Sequence, residues 1–263
     1  VNASGASGFN EAITSTYFRA KHNEDDSAVS LDYIAAFDQG NETAYQVLPN
    51  EVGADGDQST SGVLTLYAPS STTYVKHYQD VWGWLMGLTY ISSVTASGSS
   101  TLSFTSGIDA TYNEYQFHVV NMHPATNSSS ITFQVDTGTN TNYNQTITSS
   151  FFRAKNHESG GSTEVVIVAG EDQAEGNAYS VLCNEVGNGN DESVSGVLTL
   201  YDPSNATFVK HFSSRMNEYH ESDITMDTQA AGYINTATAL TRVSFKFDNG
   251  NMETGSIHMY GVG

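Results

Sequence analysis

Apolar and polar residues alternate along this chain with a period of two, the mark of strands that bury one face and wet the other. Tyr115, Phe117 and Val119 point one way while Gln116 and His118 point the other, and Ile131, Phe133 and Val135 repeat the rule. Further runs of this kind cover Ile147–Lys155, Glu164–Ala169, Ala178–Leu182, Val197–Tyr201, Thr207–Phe212, Ala231–Asn235, Val243–Phe247 and Ile257–Tyr260. Clusters such as TGTNTN, ESGGS, GNGND and DNGN separate them, because Gly, Asn and Asp tolerate the backbone angles of tight turns. No stretch sustains a helical period. Strands at intervals of about 8 to 15 residues predict an all-β fold of antiparallel β-sandwich modules with jelly-roll-like topology.

The strand pattern is internally duplicated. The 66 residues from Ile13 to Tyr78 return as Ile147 to Phe212 at a constant offset of 134, without insertion or deletion, and about half the positions are identical. ITSTYFRAK answers ITSSFFRAK, AYQVLPNEVG answers AYSVLCNEVG, and SGVLTLYAPSSTTYVKHY answers SGVLTLYDPSNATFVKHF. Both flanks belong to the second copy alone. The chain therefore divides into a partial copy over residues 1–79, a junction over 80–86 and a complete module over 87–263. A sandwich stripped of strands has open edges, which natural sheets seldom leave uncovered. Preceding residues, strands lent by another subunit, or stacking on the second copy would each cover them, and Trp82, Trp84 and Leu85 at the junction are placed to cap the exposed core.

Composition narrows the partners. Nine Lys plus Arg stand against 29 Asp plus Glu, a formal charge of -20, which repels nucleic acid and anionic membrane surfaces. Such acidity serves solubility, and it also suits a surface bathed in salt or divalent cations, where screening weakens self-repulsion. The lone Cys183 has no intramolecular disulfide partner and faces Pro49 in the other copy, so it reads as a small buried residue. The most hydrophobic stretch, Val81 to Val94, is interrupted by Gly83, Gly87 and Thr89, which argues against membrane insertion.

The phrases YISSVTASGSSTLSFTSGIDATYNEYQFHVVNMHPATNSSSITFQVDTG, FFRAKN, SGVLTLYDPSNATFVKHF, AGYINT and GSIHMYGV resemble a group of uncharacterised proteins of marine tailed phages, treated as virion or tail structural components. The resemblance spans roughly residues 86–263 and implies a phage structural protein on the virion surface, made in the host cytoplasm, with other virion proteins as partners. It brings no catalytic residues. By analogy with phage spikes, a homo-oligomer, specifically a trimer, is the expected assembly.

Candidate chemistry is sparse. GxSxG, HExxH, Walker-type and CxxC signatures are all missing, so a non-enzymatic protein is expected. A pair of carboxylates suffices for glycan cleavage, however, and a glycan-binding or glycan-degrading protein is the alternative, with a host surface glycan as partner. The loops NEVGADGDQSTSG and NEVGNGNDESVSG place Glu51, Asp55 and Asp57 opposite Glu185 and Asp191, hard oxygen ligands on Gly-rich turns that suit calcium or equally an ordinary turn. No other cofactor is expected. Arg19/Arg153, Lys21/Lys155, Lys76/Lys210 and His77/His211 are kept in both copies of a chain poor in positive charge. They read as ion pairs with its own carboxylates or as contacts to an acidic partner. The remaining histidines, His118, His123, His157, His220 and His258, show no metal-ligand spacing, and EYHESD from Glu218 to Asp223 reads as a polar loop. Tyr67/Tyr201, Tyr45/Tyr179 and Phe18/Phe152 alternate with aliphatic residues as core positions do, although the same rings would suit a sugar-stacking platform.

Overall fold

The computed structural model describes residues 11–22, 29–46, 63–67, 77–81, 88–161 and 163–262. Glu51, Asp55, Asp57, Lys76 and the junction residues Trp82, Trp84 and Leu85 lie outside them. In the first segment the strands are β1 (Ile13–Ser15), β2 (Phe18–His22), β3 (Val29–Tyr33), β4 (Gln39–Glu42), β5 (Val63–Tyr67) and β6 (His77–Val81). The second part opens with β7 (Leu88–Thr95), β8 (Leu102–Phe104), β9 (Glu114–Pro124), β10 (Ser129–Thr137), β11 (Ile147–His157), β12 (Thr163–Ile167) and β13 (Gln173–Gly176). It closes with β14 (Ser180–Val186), β15 (Val194–Tyr201), β16 (Lys210–His220), β17 (Ile224–Ile234), β18 (Leu240–Phe247) and β19 (Met252–Val262). Apart from a 3-10 turn at Ala35–Phe37, no helix interrupts them among the described residues.

All strand pairings are antiparallel, and two layers face each other in the second part. The front layer runs β7-β19-β9-β15-β16-β17-β11, with β12 and β13 sharing the far edge of β11. The back layer runs β14-β10-β18-β8 and joins the front at the pair Val186 and His220, leaving a nearly closed barrel-like sandwich. With β11–β13 and β16–β17 set aside as insertions, eight strands remain. In chain order, the first, eighth, third and sixth form the front, and the second, seventh, fourth and fifth form the back.

Alternation builds the core between these layers. Tyr115, Phe117 and Val119 on β9 are fully buried, and Phe117 packs its ring 5.3 Å from Phe104 and 5.7 Å from Phe245. Phe133 meets Phe212 at 4.9 Å. Each such side chain contributes about 1.5–3 kcal/mol by leaving water. Strand β10 departs from the one-sided expectation: Thr132, Gln134 and Asp136 are buried too. Loops fold over its outer side, and Gln134 Nε2 donates to the carbonyls of Gln145, Asn177 and Ala178 while Asp136 accepts from the Tyr143 and Thr137 amides.

The repeated stretches share their local pairing. Ile13 pairs with Glu42 and Ser15 with Gln39; adding 134 to each number gives the pairs Ile147 with Gly176 and Ser149 with Gln173. All five β2–β3 pairs recur between β11 and β12, and all five β5–β6 pairs recur between β15 and β16. Even the turn bonds match. Asp38 accepts from the Tyr17 amide and Asp172 from the Phe151 amide, each at 2.6 Å. Asn41 and Glu175, again 134 apart, both take positive φ, at 57° and 52°.

The first segment lies on the outward side of the front layer, with β1 and β4 against β11 and β6 against β15 and β16. Asn156, buried at the end of β11, donates through Nδ2 to the Ser15 and Gln39 carbonyls, each at 3.0 Å. A Cβ on Gly40 would sit 3.0 Å from the Glu158 carbonyl oxygen, so glycine permits this close approach. Asn156→Ala leaves two carbonyls without that donor and is expected to weaken docking by about 1–3 kcal/mol. Limited proteolysis should then cut within residues 11–46 faster while leaving β9 and β19 resistant; unchanged cleavage would place the hold elsewhere.

Candidate functional site

Three of the duplicated cations, Arg153, Lys155 and Lys210, are engaged within the chain. Arg153 projects from the inward side of β11 and bonds to Glu185 Oε2 at 2.5 Å and Asn184 Oδ1 at 3.2 Å. Lys155 Nζ reaches Glu164 Oε2 at 2.7 Å, and that bond holds the Glu164 carboxyl below its usual range. Lys210 overturns the reading as a partner contact. Its side chain is fully buried, and its ammonium donates to the Phe208 carbonyl at 2.7 Å and the Thr236 carbonyl at 3.1 Å. Burial lowers its pKa, opposed by nearby Asp202. Charge reversal at Lys210 would therefore strike folding. His211 is exposed and rests 6.4 Å from the Tyr233 ring. Arg19 and Lys21 lie on β2 opposite Asp32 and Ser30, and His77 lies on β6 opposite Tyr67.

Of the acidic loop residues, Glu185 sits at φ 65° with its carboxylate taken by Arg153 and 3.7 Å from His220 Nε2. Asp191 is exposed in the turn before β15, where Glu192 rather than Asp191 accepts from the Gly189 amide. Among the described residues no group of three His, Cys, Asp or Glu is placed to hold a metal.

Only the second half of EYHESD, Glu221 to Asp223, is a turn. Glu218, Tyr219 and His220 finish β16, and the strand's alternation turns Glu218 inward beside Phe212, Ser214 and Met216. Glu218 is 1% exposed, and neither carboxyl oxygen has an oxygen or nitrogen partner. The polar atom beside it is the thiol of Cys183, itself fully buried and, like Glu218, with its pKa pushed well up by burial. Glu185 reinforces the rise at Glu218 and Arg153 opposes it. The result is an acid kept neutral next to an ion pair, a pattern that suits proton exchange or a buried polar marker. The inward rhythm of Lys210, Phe212, Ser214 and Met216 was the available signal for it.

Outward from β7, β19 and β9 the rings gather differently. Tyr90, 55% exposed, lies 5.7 Å from Tyr260 and 6.4 Å from His258, and His118 lies 4.8 Å from Tyr260. His118 Nε2 donates to Gln116 Oε1 at 3.0 Å, and Gln116 Nε2 donates to Glu114 Oε1 at 2.8 Å. Burial, helped by His258, lowers the His118 pKa to about 4, so its ring is neutral at physiological pH. The face thus offers π surfaces edged by an amide, a carboxylate and the hydroxyls of Ser93 and Ser256. Sequence reading singled out other rings, as core positions that would also suit a platform. Of those, Tyr67 is buried, Tyr45 is 81% and Tyr201 42% exposed, and Tyr179 lies under the Lys246 ammonium. The alternation of His258 and Tyr260 with buried Ile257 and Met259 was the signal passed over.

Set against known proteins, the chain matches no family model, no curated protein and no solved structure.

Proposed function

We propose that this chain is a non-enzymatic structural protein of a phage virion surface, a head decoration or fibre or a tail fibre or adhesin, that works as an oligomer. The observation that carries the reading is the seating of one repeat on the other through Asn156 and Gly40, an interface between like segments built from backbone acceptors and one buried amide. The strand order of the eight-strand wrap supports a jelly roll, a stiff unit whose loops project from its ends. The matched registers of the repeated strands support a duplicated module. Labelling the chain in purified particles tests the proposal: a regular array at capsid or tail supports it, and absence from particles overturns it.

The outward ring face of Tyr90, Tyr260 and His118 favours a second reading, glycan binding, since aromatic faces stack on sugars and neutral side chains meet their hydroxyls. A glycan array decides it. Tyr90→Ala combined with Tyr260→Ala is expected to weaken retention at least tenfold with little change in melting, whereas equal retention by the variant removes the face from consideration.

A further inference from the structure

We infer that the outward ring face of β7, β19 and β9 is one end of an aromatic stripe that crosses the front layer to β17, and that the stripe binds an uncharged oligosaccharide laid across the strands. The inference deepens the glycan-binding reading above and rests on it.

Register places the rings in line. Tyr90 pairs with Tyr260 and Tyr260 with Gln116. Two residues along the same face of β9, Glu114 pairs with Tyr201, Tyr201 with His211 and His211 with Tyr233. Alternation turns these side chains outward, because their chain neighbours Met259, Phe117, Leu200 and Phe212 are buried in the core. Strands lie about 4.8 Å apart, so the five steps from β7 to β17 span about 24 Å, longer than any single sugar ring. The far end of the stripe is open as well: Tyr201 is 42% exposed, His211 is exposed and Tyr233 is half-buried.

The two most exposed tyrosines lie along the sheet. Tyr90 donates from its hydroxyl to Ser93 Oγ, and the Tyr201 hydroxyl shares a hydrogen bond with Ser213 Oγ, each at 3.0 Å. A ring tied to the sheet at its far end turns a face to solvent, and such faces stack on the C–H side of a pyranose.

Charge selects the ligand. Gln116 donates to Glu114 and accepts from His118 Nε2, so the neutral His118 ring is left to accept through Nδ1, a fitting partner for a hydroxyl. An anionic sugar needs fixed positive charge. Strands β7, β19, β9, β15 and β17 contain no Lys or Arg. On β16, Lys210 is buried and Arg215 is forked to Asp227. With the Glu114 carboxylate in the stripe and a formal charge of -20 over the chain, uronates and sulfated sugars are repelled.

Titration calorimetry of the full chain tests this with glucose, galactose and mannose oligosaccharides of one to six units, and with oligogalacturonates as the charged probe. At least one neutral series is expected to bind, its affinity rising at least about tenfold from two units to five as further rings are engaged, and the galacturonates should bind at least about tenfold more weakly. Tyr201→Ala combined with Tyr233→Ala should cancel the gain with length while leaving the two-unit sugar and the melting temperature nearly unaffected. The length series uses the unaltered protein, so it decides the matter even where a variant folds poorly. Affinity that stops rising at two units, a double variant that keeps the gain, or tighter binding of galacturonates overturns the inference, and each leaves glycan binding at Tyr90 and Tyr260 standing. Absence of binding to every probe overturns that reading and the inference together.

Discussion

Glu218→Met is expected to stabilise the protein, and to do so more as the pH rises. Glu218 is enclosed by both layers with no oxygen or nitrogen partner for its carboxyl, and burial raises its pKa well above the usual range. The folded state therefore holds a proton that the unfolded state surrenders. Below the unfolded carboxyl value of about 4.3 both states are protonated and the group costs nothing through titration. Above it, stability falls by about 1.4 kcal/mol per pH unit until the raised folded value is passed, after which the loss is complete and flat. Methionine matches the length of the side chain and removes both polar atoms, so the variant should gain about 1–3 kcal/mol near neutral pH. Urea melts from pH 4 to pH 9 read the outcome. The two proteins should converge at the acid end and diverge above it; parallel curves would mean that Glu218 is neutralised by a partner in solution.

Asp227→Ala is expected to cost about 1–3 kcal/mol through the loss of a charge-assisted, two-pronged bond between neighbouring strands. Its carboxylate accepts from Arg215 Nε at 3.0 Å and from Nη2 at 2.8 Å, a forked pair between adjacent strands with the Asp227 side chain 5% exposed. Removing the acid takes the forked pair of hydrogen bonds from the Arg215 guanidinium. The damage falls on the β16–β17 pair, where Asn217 faces Asp227 in the register and Arg215 reaches across to it. The double variant Arg215→Met with Asp227→Leu should recover most of the loss, because an apolar pair of similar volume needs no ion partner. A double-mutant cycle with no coupling would show that the pair is solvated and the cover over it open.

The sheet character of the chain was legible because a period of two needs nothing beyond the sequence: β9, β11, β15 and β18 fall where Tyr115, Ile147, Val197 and Val243 place them. Lengths were less legible. Strand β16 begins at Lys210, three residues later than the run from Thr207, and continues through what reads as a polar loop, because pairing with β15 and β17 outweighs the polarity of Asn217 to His220. Burial of polar residues was hidden for a related reason. Whether Lys210, Glu218 or Gln134 meets water depends on the layer laid over it, and that layer comes from distant sequence. The duplicated cations were visible as a set, yet their partners Glu185, Glu164 and the two carbonyls around Lys210 appear only once the strands are aligned.

The repeated interval runs from the start of β11 to just inside β16, and it respects no layer boundary: it takes an insertion, part of the back and part of the front. A stretch excised in this way has no interior of its own and behaves as veneer glued onto a load-carrying panel. Trimming the chain ahead of β7 should thus leave a self-sufficient body with the outside of its front layer stripped, whereas the leading portion alone would find nothing to cling to.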